Sequence, residues 1–182
     1  MSPPASVRDV KKLVQSLRVL IVEDNQHVRT TIRMLLTNIG VKKLYEAPDG
    51  MTALDTIRTI SPDLIILDSE MPYLSGPELV RIVRSPNGCP TPDVPIIMLT
   101  GHGERWRVVE ALRLGVNEFL VKPVSSKQLL DRMVAIFGKP RPLVQREDYC
   151  GPEPRKELPA PMAKPVARPG PVRKGKEDVL VD

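Results

Sequence analysis

Five residues of this sequence carry side chains suited to chemistry and stand where a short apolar run ends. Glu23 and Asp24 follow Val19-Leu20-Ile21-Val22, and Asp68 follows Leu64-Ile65-Ile66-Leu67. Thr100, with Gly101 behind it, ends a third run, and Lys122-Pro123 follows a fourth. Three carboxylates in one cleft would repel one another, and at least one would have its pKa raised. A hard divalent cation with oxygen ligands removes that conflict, and Mg2+ suits carboxylates with retained waters. The same ion neutralises charge on a transferring phosphoryl group and aligns it for in-line attack on a neighbouring carboxylate. Lys122 can pair with one phosphate oxygen and the Thr100 hydroxyl can donate to another, with Gly101 leaving space beside it.

Taken singly, each of these residues has an ordinary explanation. Acidic residues at strand ends form turns and cap helices, and Asp24 could cap a helix that starts near Asn25. A lone threonine is a common strand residue, and a lone lysine is usually solvated. Four strand ends in the right order favour a shared site, provided the fold brings them to one edge.

The elements between them supply such a fold. Leu17–Val22 reads as a short buried strand. From Asn25, Val28, Ile32, Leu35, Leu36 and Ile39 share one helical face, and Gly40 stands at a plausible helix end. Lys43–Glu46 is a poorer strand and Asp49–Ile60 a helix. Asp63–Asp68 is a strand, and Pro77–Arg84 a short helix before a loop from Ser85 to Asp93. Pro95–Thr100, Glu104–Gly115, Asn117–Val121 and Ser125–Phe137 continue the alternation as strand, helix, strand and helix. Five strands alternating with five helices indicate an α/β parallel sheet covered on both faces. Such sheets bind ligands at the carboxyl ends of their strands.

The 182-residue chain allows one ordinary domain plus extra segments. Residues 17–138 are read as the folded domain, and 1–16 as a lead-in in which Val7, Val10, Leu13, Val14 and Leu17 have helical spacing. Residues 139–182 are read as a flexible tail, because nine of the twenty prolines fall between Pro140 and Pro171 amid basic residues. The composition is 41% hydrophobic and 27% charged, as in soluble globular proteins. No apolar run is long enough to cross a bilayer, and the N-terminus has no signal-peptide core. Cys89 and Cys150 sit in loop-like sequence, so no disulfide framework is expected and a cytoplasmic location is the simple reading. The formal net charge of +5 is modest, and the basic residues of the tail are interleaved with acidic ones, so nucleic-acid binding is not expected.

Five separated stretches together resemble the receiver domain of bacterial response regulators, the CheY-like superfamily. They are Val19–Asn25, Ala47-Pro48-Asp49-Gly50, Leu67–Pro72 with Gly76, Met98–His102, and Phe119–Pro123. The resemblance covers about residues 17–138. It implies a flavodoxin-like, doubly wound five-stranded sheet of order 2-1-3-4-5, with Asp68 as phosphoacceptor. Asp24 would bind Mg2+ directly, Glu23 through water, and Glu70 through its carbonyl. Thr100 and Lys122 would hold the phosphoryl group, and Lys122–Pro123 would be a cis peptide. Phe119 stands at the switch position, where many relatives have tyrosine. Glu70 and His102 would flank the path of attacking water. The partners implied are a histidine kinase or histidine phosphotransfer protein as donor and a downstream target protein, with a homodimer through the signalling face also allowed. No output domain is recognisable, so the expected type is a single-domain regulator. Trp106, the only tryptophan, lies off its helix's apolar stripe, which leaves partner contact and partial burial both open.

Three rival readings use the same residues differently. A haloacid-dehalogenase-type phosphatase also places an aspartate after a parallel strand, but it usually has a second aspartate two residues on, where Glu70 stands here. A pseudo-receiver would lack part of the acidic, hydroxyl and lysine set. A nucleic-acid binder would work through the tail.

Overall fold

The computed structural model describes residues 7–101 and 105–154. Its central sheet contains β1 (Arg18–Val22), β2 (Lys43–Ala47), β3 (Leu64–Asp68), β4 (Ile96–Thr100) and β5 (Glu118–Val121). All neighbours are parallel and the order is β2-β1-β3-β4-β5. Successive side chains of a strand point to opposite faces, and both faces here are apolar. Leu20, Val22, Ile65, Leu67, Ile96 and Met98 face one core, covered by α3 (Gly50–Ile60), α4 (Gly76–Arg84) and α5 (Arg105–Arg113). Val19, Ile21, Leu64, Ile66, Ile97 and Leu99 face the other, covered by α2 (Gln26–Ile39) and α6 (Ser126–Gly138). This is the doubly wound arrangement that the alternating pattern indicates, with helix starts fixed by side-chain caps. The Asn25 side chain accepts from the backbone N–H of His27 and Val28, and the Asp49 side chain from that of Thr52. Ser75 with Glu78, and Ser125 with Gln128, form reciprocal capping boxes.

Two segments extend the expected domain. The lead-in forms α1 (Val7–Val14), a sixth helix beyond the five expected in the core alternation, and it packs on α6. Val14 and Leu17 are buried in the second core, which supplies the tertiary support a helix this short lacks alone. Past α6, the stretch read as the start of a flexible tail makes an antiparallel hairpin, β6 (Leu143–Gln145) with β7 (Cys150–Pro152). Cys150, expected in a loop, lies in β7 and is buried, as is Cys89 in the Ser85–Asp93 loop. Proline density was a poor guide here, because Pro140, Pro142 and Pro152 sit at hairpin ends where no ladder N–H is needed. The rest of the expected tail, 155–182, and His102 lie outside the described residues. Among the described residues, no helix is long and apolar enough to cross a membrane.

Candidate functional site

Parallel strands place all their carboxyl ends on one edge, and there the structure gathers the expected groups. Glu23 comes just after β1, Asp68 and Thr100 are the last residues of β3 and β4, and Lys122 comes just after β5. Neighbouring strands hold these ends in register, Asp68 beside Leu99 and Thr100 beside Val121. Oxygen atoms of Glu23, Asp24 and Asp68 all lie within 4.8 Å of one another. Glu23, Asp68 and Thr100 are buried, whereas Asp24 is exposed at the rim.

Lys122 ties the cluster together. Its Nζ donates to Glu23 Oε2 at 2.7 Å and stands 2.9 Å from Asp68 Oδ1. The peptide bond that follows it, to Pro123, is cis. Burial pushes the Asp68 and Glu23 carboxyls above their usual range, and the lysine only partly offsets that. Burial also pulls the Lys122 ammonium down, but its bonds to Glu23 and Asp68 outweigh this and leave it above its ordinary value. Three carboxylates against one ammonium still leave an excess of negative charge, and every donor is a hard oxygen. That donor set fits a small divalent cation such as Mg2+.

The helix cap bears on Asp24. Asn25, not Asp24, caps α2, so the ordinary explanation for Asp24 as a capping residue does not hold. Glu23 is positioned from both sides: its Oε1 accepts from the Asn25 N–H, and its carbonyl accepts from Arg29 at 2.8 Å. The loop after Asp68 is held close by Gly76, where any Cβ would overlap the Asp68 carbonyl oxygen. In that loop Glu70 forms an ion pair with Arg107 of α5 at 3.3 Å, a partnership no spacing rule in the sequence points to. Trp106 is exposed, with the Arg107 guanidinium 4.9 Å from its ring centre. Phe119 is turned into the core, in the cluster that contains Met98 and Val80.

A doubly wound parallel sheet with a carboxylate cluster and a partly buried ammonium on its carboxyl edge is the arrangement of a receiver-type signalling domain. Residues 19–134 match the model of the response regulator receiver domain, and the chain belongs to that family, within the CheY-like superfamily of two-component signalling. It is 30% identical over 127 residues to chemotaxis protein CheY-3 of Vibrio cholerae, covering 70% of this chain and 96% of that one. It is 33% identical over 123 residues to CheY of Pseudomonas aeruginosa, covering 68% and 98%. The solved structure of Vibrio cholerae CheY4 superposes with a TM-score of 0.60 at 30% identity, covering 66% of this chain and 98% of that one. Receiver domains are phosphoacceptors in two-component systems.

Proposed function

We propose that this chain is a response regulator whose receiver domain accepts a phosphoryl group on Asp68. The observation that carries the reading is the meeting of Glu23, Asp24 and Asp68 within 4.8 Å, with Lys122 bridging two of them. Mg2+ would be held by Asp24, Asp68 and the Glu70 carbonyl, with Glu23 acting through water. Its chemistry when bound is to neutralise charge on the transferring group and fix its line of approach.

The remaining work falls to the chain. An Asp68 carboxylate oxygen attacks phosphorus, the P–N bond of a phosphohistidine breaks, and the imidazole leaves with a proton from solvent. The donor would be a histidine kinase or a histidine phosphotransfer protein. Lys122, already 2.9 Å from Asp68, follows the new phosphate oxygen, and the Thr100 hydroxyl donates to another. That shift would change the packing beside Phe119, and with it the surface offered to a downstream protein. Output then runs through protein–protein contact in the cytoplasm, with a homodimer as one form it can take.

The test is incubation with phosphoramidate and Mg2+ followed by intact-mass measurement. One added phosphoryl group is expected, absent in Asp68→Asn and absent with a chelator. Label that persists in Asp68→Asn would reject Asp68 as the acceptor.

A further inference from the structure

The hairpin of residues 141–153 lies beyond the stretch that matches the family, yet it is bonded to one place in the domain. That place is a socket around Arg84, at the amino edge of the sheet. The Arg84 guanidinium donates five hydrogen bonds, to Gly115 O at 3.1 and 2.9 Å, Pro92 O at 2.6 Å, Val94 O at 2.8 Å and Asn117 Oδ1 at 3.2 Å. The hairpin closes over it. A Cβ on Gly151 would stand 2.6 Å from Arg84 Cδ, and one on Gly115 would overlap the Tyr149 hydroxyl. Arg141 donates to Val116 O at 2.9 Å and to Glu153 O at 2.8 Å, and Tyr149 donates to Pro152 O at 2.6 Å. Cys150 is buried beneath.

The hairpin therefore grips the α5–β5 turn, Gly115 and Val116. The two elements that meet in this turn reach the candidate site at their other ends. Arg107 on α5 pairs with Glu70, and β5 leads into Lys122. The fit is to the arrangement in which Lys122 holds Glu23 and Asp68, the bonds that Lys122 would give up on following a phosphate oxygen. A segment that binds one arrangement better favours it, and the coupling acts equally in both directions.

We propose that residues 141–153 are an inhibitory strap: docked on the Arg84 socket it favours the unphosphorylated domain, and phosphorylation of Asp68 loosens it. The coupling rests on the reading of Asp68 as the acceptor; the docking does not.

The test compares the full chain with Gly151→Val by alkylation of each cysteine, resolved by peptide mass. Cys89, in the core of the domain, reports global opening. In the resting wild type Cys150 reacts slowly, and in Gly151→Val about tenfold faster with Cys89 unchanged, the signature of local release. After phosphoramidate and Mg2+, the wild-type Cys150 rate rises by about threefold or more, and at limiting phosphoramidate Gly151→Val holds the larger phosphorylated fraction. Fast Cys150 labelling in the resting wild type overturns the docking. An unchanged or slower Cys150 rate on phosphorylation, or an equal phosphorylated fraction in the variant, overturns the coupling. If no phosphoryl group is added at all, the functional reading fails and takes the coupling with it, while the resting-state labelling still decides the docking. Should Cys89 also become reactive in Gly151→Val, Arg141→Gln, which cuts the ties to Val116 and Glu153, provides the same comparison.

Discussion

At the carboxyl edge of the sheet, Lys122 lies between two buried carboxylates; at the amino edge, Arg84 lies among neutral oxygens. Arg84 is sealed from water and Lys122 partly so, and both need compensation. Arg84 has it in full, since its five bonds match the five N–H groups of a guanidinium. Burial holds its pKa down to about 10, still charged at neutral pH. The Lys122 cluster is left incomplete, with burial raising the carboxyl pKa of Glu23 and Asp68. A satisfied charge makes a scaffold, and an unsatisfied one leaves room for the cation and phosphoryl chemistry proposed for Asp68.

The largest effect is expected where the incomplete edge loses the Lys122 ammonium. In Lys122→Met, Glu23 and Asp68 keep their burial and lose their shared partner, and the phosphate loses a donor. Phosphorylation by phosphoramidate with Mg2+ should slow by roughly 10²–10³-fold, the usual cost of removing one charge-stabilising donor. Time-resolved intact-mass measurement checks this. A rate within a factor of two of wild type would mean the bridge is only structural.

The complementary change at the complete edge is Arg84→Met, which strands the carbonyls of Pro92, Val94 and Gly115. Unfolding in urea should show a loss of about 3 kcal/mol or more. Asp68 should still accept a phosphoryl group under conditions where the variant is folded. A variant that is equally stable but cannot be phosphorylated would invert the comparison. A smaller cut at the same edge is Asn117→Ala. The Asn117 Oδ1 accepts from both Arg84 and the Ile96 N–H, so its removal leaves two buried donors short and should cost about 2 kcal/mol.

The two edges also differ in how much of them was legible in the sequence. Glu23, Asp24, Asp68, Thr100 and Lys122 are conspicuous because unusual residue types end apolar strands, and strand ends converge by topology. Element boundaries were legible for the same reason: Asn25, Asp49, Ser75 and Ser125 cap helices through their own side chains. Arg84 is invisible by this route. Four of its five bonds go to backbone carbonyls, which every residue has, so no residue type marks them. The hairpin was missed for a related reason. Its apolar content is low, and it is held by Gly151 fitting against Arg84 and by Arg141 reaching backbone oxygens, not by a periodic apolar face. Glu70 with Arg107 joins residues 37 apart in sequence, and only the folded chain brings them together.

The smallest effect separates two arginines of the amino edge. Arg18 at the start of β1 makes the bond Arg84 lacks, a paired contact with a carboxylate: its Nε and NH2 donate to Asp63 Oδ2 and Oδ1 at 3.1 and 3.0 Å. Both side chains are more than a third exposed, so water and salt weaken the pair and its contribution stays well below that of Asn117. The Arg18 hydrogen bond nevertheless holds the Asp63 carboxyl below the ordinary aspartate value of 3.8. A carboxyl whose pKa is lower folded than unfolded stabilises the protein above the unfolded value, and that contribution fades as pH falls through the folded one. Wild type should therefore exceed Asp63→Asn in urea stability at pH 7, and the difference should shrink once the pH drops below about 3.8 and vanish further down. Added salt should narrow the gap at pH 7 while leaving the Arg84→Met deficit intact, because screening reaches the exposed pair and not the sealed one. A gap that grows on acidification would mean that Asp63 is stabilised in its protonated form, and that the contrast between an open and a sealed arginine is drawn in the wrong place.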